Sequence, residues 1–253
     1  MEIILESEQL NKMYGLGKNH QQHVLKNINL KIKKGEFVSV MGPSGSGKST
    51  LLYNLSGMDR CTSGRVLFHG RELSSLPEKE LSDVRLFQMG FIFQQIHLLK
   101  SLSIFDNIIL AAYLAKKEHR HDINIRAKAL MKKAGIYQLA KNDITQASGG
   151  QLQRAAICRA LMNQPDIIFG DEPTGALDTK SAEDIMDILR GINESGTTVL
   201  LVTHDLKVAA KTGRVLYMVD GRIVGEKRLG QYNKENNDLG AREKILSRWL
   251  TKG

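Results

Sequence analysis

The chain has 253 residues, 42% of them hydrophobic and 25% charged, with a formal net charge of +9. That leaves room for one large α/β domain, or one domain with an inserted subdomain, and it argues against a disordered or fibrous chain. No stretch approaches the ~20 apolar residues that cross a bilayer.

The longest apolar attempt, 104–115, is broken by Asp106 and Asn107, and the start (Glu2, Glu6, Glu8) does not read as a secretory signal. Cys61 and Cys158 form no C-x-x-C pattern and read as simple thiols of a reducing compartment. Lys and Arg are spread along the chain without a basic-aromatic block. The excess charge therefore reads as a solvated surface, or one that faces an anionic leaflet, rather than as a nucleic-acid site.

In chain order, residues 3–14 predict a strand that leaves Tyr14 at the edge of a glycine turn, Gly15 to Gly17. Leu25–Lys33 alternates apolar and polar, as a half-buried antiparallel strand does. Residues 37–41 (FVSVM) read as a buried strand, 42–50 as a glycine loop and 51–55 as the body of a helix. The loop fits G-x-x-x-x-G-K-[ST] through Gly42, Gly47, Lys48 and Ser49, with Pro43, Ser44, Gly45, Ser46 and Thr50 completing it. Glycines let successive N–H groups turn inward on an anion, and the following helix adds its positive end. Lys48 supplies a point charge for terminal phosphates, and the Ser49 hydroxyl is a hard ligand for Mg²⁺. The loop therefore predicts a nucleoside triphosphate.

Further on, 65–68 and 90–93 read as strands, with a short helix at 78–85 between them. From Gln95 to Ala147 no strand appears. Two helices, 105–115 and 123–134, are expected there, with Asp106 and Asp122 as N-caps and Gly135 as a stop. His119, Arg120 and His121 read as a solvated loop between them. A helix follows Ser148-Gly149-Gly150, and a buried strand, 167–170, runs into Asp171-Glu172. Another helix spans Ile185–Ile192 and another buried strand Val199–Val202, ending at Thr203-His204-Asp205. Residues 215–224 carry a hairpin signal at Asp220-Gly221. Residues from Glu226 read as polar up to Ala241. The last helix carries Ile245, Leu246, Trp249 and Leu250 on one stripe, expected to pack on its own domain rather than dock on a membrane.

Ligands of open parallel sheets gather at the C-terminal strand ends. Four such ends here carry polar groups: the Gly42 loop, Gln94, Asp171-Glu172 and His204. They read as one site. Asp171 and Ser49 suit Mg²⁺, with Gln94 bridging metal and water. Glu172 can orient or deprotonate water, and His204 can hold the γ-phosphate.

These motifs resemble the ATP-binding-cassette (ABC) ATPases. ASGGQLQRAAICRAL (147–161) is similar to their signature helix, IIFGDEPTGALD (167–178) to their Walker B strand and D-loop, Gln94 to the Q-loop and His204 to the switch histidine. The resemblance implies an α/β fold: a P-loop NTPase ABC nucleotide-binding domain with an antiparallel β subdomain and an inserted α-helical subdomain. It places that domain at about 2–230, the helical subdomain at about 95–160, and a polar segment with an amphipathic helix at 231–253. It also implies ATP and Mg²⁺, with Tyr14 stacking on adenine. A head-to-tail homodimer is implied, in which Ser148, Gly149, Gly150, Gln151 and Asp178 of one copy complete the site of the other. The implied partner is an integral-membrane permease, and the implied location is the cytoplasmic face of the membrane.

Gly57-Met58-Asp59-Arg60 and GFIFQQIHLL (90–99) are similar to the macrolide-export, lipoprotein-release and peptide-antibiotic-resistance branch. Resistance to or export of antimicrobial peptides is the expected role. The alternative is a regulatory ABC ATPase of a membrane complex, of the lipoprotein-release or cell-division type. Ribosomal or DNA-acting ABC proteins are disfavoured, because they need two cassettes or a long coiled-coil insertion. Ala147 and Cys158 depart from the family pattern: activity is expected to be kept with Ala147, turnover changing only modestly in Ala147→Leu, and Cys158 is expected to be silent.

Overall fold

A computed structural model describes residues 2–15, 21–236 and 238–251. In chain order the elements begin with β1 (Ile3–Gly15), β2 (Gln21–Lys33), β3 (Phe37–Met41), α1 (Lys48–Leu55), β4 (Ser63–Phe68), β5 (Arg71–Glu72), α2 (Glu78–Gln88) and β6 (Met89–Phe93). Then come α3 (Ile104–Ala115), α4 (Arg120–Lys133), α5 (Gly149–Leu161), β7 (Ile167–Asp171), α6 (Thr179–Glu194), β8 (Thr198–Val202), α7 (Leu206–Ala210), β9 (Arg214–Val219), β10 (Arg222–Arg228) and α8 (Leu239–Leu250). No helix among the described residues is long and apolar enough to cross a membrane. The chain forms two compact units, one running to Leu81 and resuming at Thr198, the other Ser82–Thr197.

The first unit holds an antiparallel sheet in the order β2-β1-β4-β5. Its two long strands bulge where Gln9 and Asn27 take positive φ. Side chains stand in for the lost ladder there: Gln9 N donates to Asn29 Oδ1 and Asn27 N to Asn11 Oδ1, both at 2.9 Å. The same unit contains β10-β9-β3-β8, with β3 parallel to both β8 and β9 and β10 antiparallel on β9. Every residue of β3 and β8 is buried, as the near-continuous Val and Leu runs require. The hairpin turn is Asp220-Gly221, both with positive φ, the two-residue turn that matches strand twist.

In the second unit β6 and β7 pair in parallel. Helices α3, α4 and α5 enclose a core that includes Ile104, Ile108, Ala127, Met131, Ile136 and Cys158. Each fully buried large aliphatic side chain contributes about 1.5–3 kcal/mol.

Several element boundaries differ from expectation. The cap of α3 is Ser103, whose hydroxyl accepts from Asp106 N, so Asp106 lies in the first turn instead. Likewise α4 starts after His119, with Asp122 in its first turn, so Arg120 and His121 are helical rather than part of a loop. In both cases an acidic residue suits a first turn as well as a cap, because both feel the positive helix end. The helix expected at 78–85 runs on to Gln88, β2 begins at Gln21, and β10 continues the supposed polar run to Arg228. Gly15 is still strand, and the rest of the expected turn, Leu16 and Gly17, lies outside the described residues.

On α8 the buried face carries Arg242 and Leu246, while Ile245 is 44% exposed. Leu246 packs with Met41, Ala209, Ala210 and Val215. The helix therefore covers its own unit, as expected, through Leu246, Trp249 and Leu250 of the apolar stripe, with Ile245 left exposed and Arg242 added to the buried face.

Candidate functional site

The first unit contributes the loop between β3 and α1. A Cβ on Gly42 would lie 2.1 Å from the Met218 carbonyl oxygen, so only glycine admits this approach of loop to β9. Ser46 N donates to Pro43 O at 3.2 Å and Gly221 N to Ser46 O at 3.0 Å, so the β9–β10 hairpin tip holds the loop. Gly47 caps α1 in the left-handed region, φ +98, without a side-chain bond, and the first turn has no acidic residue. With no side-chain cap and no acidic residue in the first turn, the positive end of the helix dipole favours an anion. Lys48 is buried and donates to the carbonyls of Gly42 at 2.9 Å and Pro43 at 3.0 Å, which folds it back along the loop. Ser46 Oγ is buried with no hydrogen-bond partner. A buried hydroxyl left without a partner is costly, which marks the loop as a place where polar groups are held for a ligand rather than for the fold.

Tyr14 sits at the end of β1, 38% exposed. Its hydroxyl donates to Asp59 Oδ2 at 2.5 Å, and Lys12 Nζ donates to Asp59 Oδ1 at 2.6 Å. Lys12 also stands 4.7 Å from the Tyr14 ring centroid, covering one ring face. Burial, then the Asp59 carboxylate, pushes the Tyr14 hydroxyl up to about 12, against a small opposing bond from Thr50. Burial alone would raise the Asp59 carboxyl, but hydrogen bonds from Lys12 and Tyr14 hold it below the usual range.

On the neighbouring strand Val40 pairs with Val202, and Thr203 N donates to Val40 O at 3.0 Å. His204 therefore leaves β8 at the same sheet edge as the loop leaves β3. It is exposed, and Asp205 immediately caps α7 through Lys207 N at 2.7 Å.

The second unit brings together Gln94, Asp171 and Glu172. Phe93 pairs with Asp171, so Gln94 and Glu172 follow one register position of adjacent parallel strands. A Cβ on Gly175 would lie 3.1 Å from Gln94 Nε2 and 3.4 Å from Glu172 Oε2, so both side chains converge over that glycine. Glu172 has φ +48, a strained conformation held by the turn that Gly175 N closes on Glu172 O. Asp171 is 9% exposed.

Ser148 caps α5 in a capping box: its hydroxyl accepts from Gln151 N, and Gln151 Oε1 accepts from Ser148 N at 2.9 Å. Asp178 caps α6 through Ser181 N at 3.0 Å and the Ser181 hydroxyl at 2.6 Å, which lowers its carboxyl pKa. A Cβ on Gly150 would lie 2.9 Å from Ser181 Oγ, so this glycine lets the α5 start approach the α6 start. Ser148, Gly149, Gly150, Gln151 and Asp178 therefore form one group.

Some residues of these groups escaped the sequence reading. Gln153 Nε2 donates to Phe93 O at 3.3 Å, and Arg159 donates to Ile96 O and His97 O at 3.0 and 2.8 Å. Together they tie α5 to both sides of Gln94. A buried Gln and an Arg on an otherwise packed helix were the available signal. Asp59 stood in the Gly57–Arg60 motif without a role assigned to it, and Lys12 and Met218 had no signal.

Among known proteins, the ABC transporter family profile matches residues 25–175. The chain is 42% identical over 246 residues (97% of it) to the macrolide export ATP-binding/permease protein MacB of Mannheimia succiniciproducens, covering 38% of that protein. It is also 42% identical to the bacitracin export ATP-binding protein BceA of Halalkalibacterium halodurans, over 92% of this chain and 91% of that one. The chain thus spans little more than a third of the MacB relatives and nearly the whole of BceA. A solved dimer of the ATP-binding cassette MJ0796, bound to ADP and Pi, superposes with a TM-score of 0.84 at 39% identity, covering 90% of this chain and 100% of that one.

Proposed function

Because the chain belongs to the ABC transporter family and has the α/β fold of its cassettes, we propose that it binds and hydrolyses ATP to drive a membrane permease. The observation that carries this reading is the phosphate loop: an orphan buried Ser46 hydroxyl, a folded-back Lys48 and an α1 start without a side-chain cap. Gly42 to Thr50 hold the phosphates. Tyr14, 38% exposed with Lys12 over one face of its ring, takes the adenine.

Ser49, Asp171 and Gln94 are the oxygen donors suited to Mg²⁺, which neutralises phosphate charge when bound. Glu172 orients and deprotonates the attacking water, and its strained turn with Gly175 sets its direction. His204 donates to the phosphate on which charge develops.

Besides Gly42–Thr50, the chain carries a second glycine-containing helix start, Ser148–Gln151, in the other unit. We read the second as serving a partner copy, with Asp178 beside it, in an ATP-dependent head-to-tail homodimer. The dimeric MJ0796 relative supports that arrangement. The nucleotide-binding domain is taken as 2–230 with its helical subdomain at about 95–160. The names of the export relatives support a permease partner, and with it we place the chain at the cytoplasmic face of the membrane. The BceA relative, matched over almost its full length, supports export of or resistance to peptide antibiotics.

The test is Glu172→Gln. It should retain Mg-ATP, lose phosphate release and accumulate as a dimer in light scattering. Wild-type turnover in that variant would refute the role of Glu172. Co-purification of the membrane-extracted chain with a permease tests the partner.

A further inference from the structure

We propose that the C-terminal helix α8 is a positioning brace for both nucleotide-facing loops of its unit, acting through Arg242 and Trp249. This inference rests on the reading of His204 and the phosphate loop given above.

Arg242 is 5% exposed. Its guanidinium makes four hydrogen bonds to carbonyl oxygens: Ala210 at 2.7 Å, Thr212 at 2.8 Å, Gly230 at 2.9 Å and Leu229 at 3.0 Å. Ala210 is the last residue of α7 and Thr212 lies just beyond it. The other end of α7 is the Asp205 cap, directly after His204. A five-residue helix clamped at its far end by a buried guanidinium has little freedom to shift its start. Arg242 therefore fixes where His204 leaves the sheet.

The second arm reaches the phosphate loop. Leu246, fully buried, belongs to the same core cluster as Met41, the residue before Gly42. Trp249 meets Tyr217 edge to face at 6.1 Å, and Tyr217 pairs with Met41. The next residue, Met218, presses its carbonyl on Gly42 and its methyl carbon on Gly47. A Cβ on Gly225 would lie 2.8 Å from the Trp249 ring, so β10 leaves a gap that this indole fills. Trp249 thus sets β9, and β9 shapes the loop.

The two arms predict different kinetic effects, because one bears on chemistry and the other on binding. Full-length variants are assayed for ATP hydrolysis, normalised to nucleotide-binding stoichiometry, with thermal melts to confirm folding. Arg242→Met should lower kcat about tenfold with little change in KM, since a displacement of about 1 Å can cost about a hundredfold and a smaller one costs less. Arg242→Lys should recover part of that loss. Trp249→Ala should raise the KM for ATP about fivefold with a smaller effect on kcat. Ile245→Ala, on the exposed face of the same helix, should match wild type.

Wild-type kcat and KM in folded Arg242→Met and Trp249→Ala would overturn the brace. If Arg242→Met does not fold, Trp249→Ala decides alone. His204→Ala separates the two levels. Full turnover in it overturns the reading of His204 and the brace together, whereas loss of turnover in it with both brace variants unaffected overturns the brace alone.

Discussion

The Tyr14 hydroxyl donates to Asp59 at 2.5 Å, and Lys12 grips the other oxygen of the same carboxylate at 2.6 Å. The ring proposed for adenine is thus held by its polar end, with one face already taken by Lys12. Tyr14→Ala should weaken ATP binding by about 1–3 kcal/mol, the worth of one base–aromatic stack. Tyr14→Phe should keep most of the affinity, because the ring stays. Calorimetric titration with ATP checks both. In Asp59→Asn the Tyr14 hydroxyl pKa should fall from about 12, but not fully to 10, because burial is the larger cause. Tyrosinate absorbance read as a difference against Tyr14→Phe measures it.

Gly42 and Gly45 should respond differently to alanine. At Gly42 the new Cβ meets the Met218 carbonyl at 2.1 Å, and backbone must move. Nucleotide affinity should be lost and the melting temperature should drop. At Gly45 a Cβ has open space, and only φ +79 opposes it, for about 1–2 kcal/mol. Gly45→Ala should fold and bind ATP more weakly. Equal behaviour of the two would contradict the contact with β9.

Burial pushes the Cys158 thiol up to about 12, from an ordinary 9.0. At pH 8 a thiol reagent should therefore modify Cys61 and spare Cys158 in the native protein, then modify both after denaturation. Because the folded value lies above the unfolded one, the contribution of Cys158 to stability is complete below about pH 9 and declines as pH rises toward 12. Modification of two thiols in the native state would contradict this burial.

Ala147→Leu should alter turnover by no more than about twofold, as expected of a substitution that breaks no buried bond. Ala147 has extended backbone angles that leucine shares, and it lies against the α3–α5 core rather than inside the Ser148 capping box. Steady-state hydrolysis by the variant is the check.

The motif residues were legible because their chemistry is local. Gly42–Thr50 needs only its own glycines, its lysine and the helix that follows. The Val and Leu runs of β3 and β8 announce burial on both faces. The caps were less legible: Asp106 and Asp122 look like caps, yet Ser103 and His119 hold those positions. A single chain cannot decide between a cap and a first-turn acid when both are favourable.

From sequence alone came the nucleotide loop, the order of strands and helices, and the polar groups at each strand end. These depend on residue type and spacing along the chain. Tertiary structure alone decided which partner holds each of them: Met218 against Gly42, Asp59 under Tyr14, Glu172 turned toward Gly175, and Arg242 under the end of α7. Such contacts join residues up to 176 positions apart (218 minus 42), and no local propensity encodes them. They exist because strands distant in sequence pair side by side, and because a buried guanidinium must find its acceptors wherever folding leaves free carbonyls.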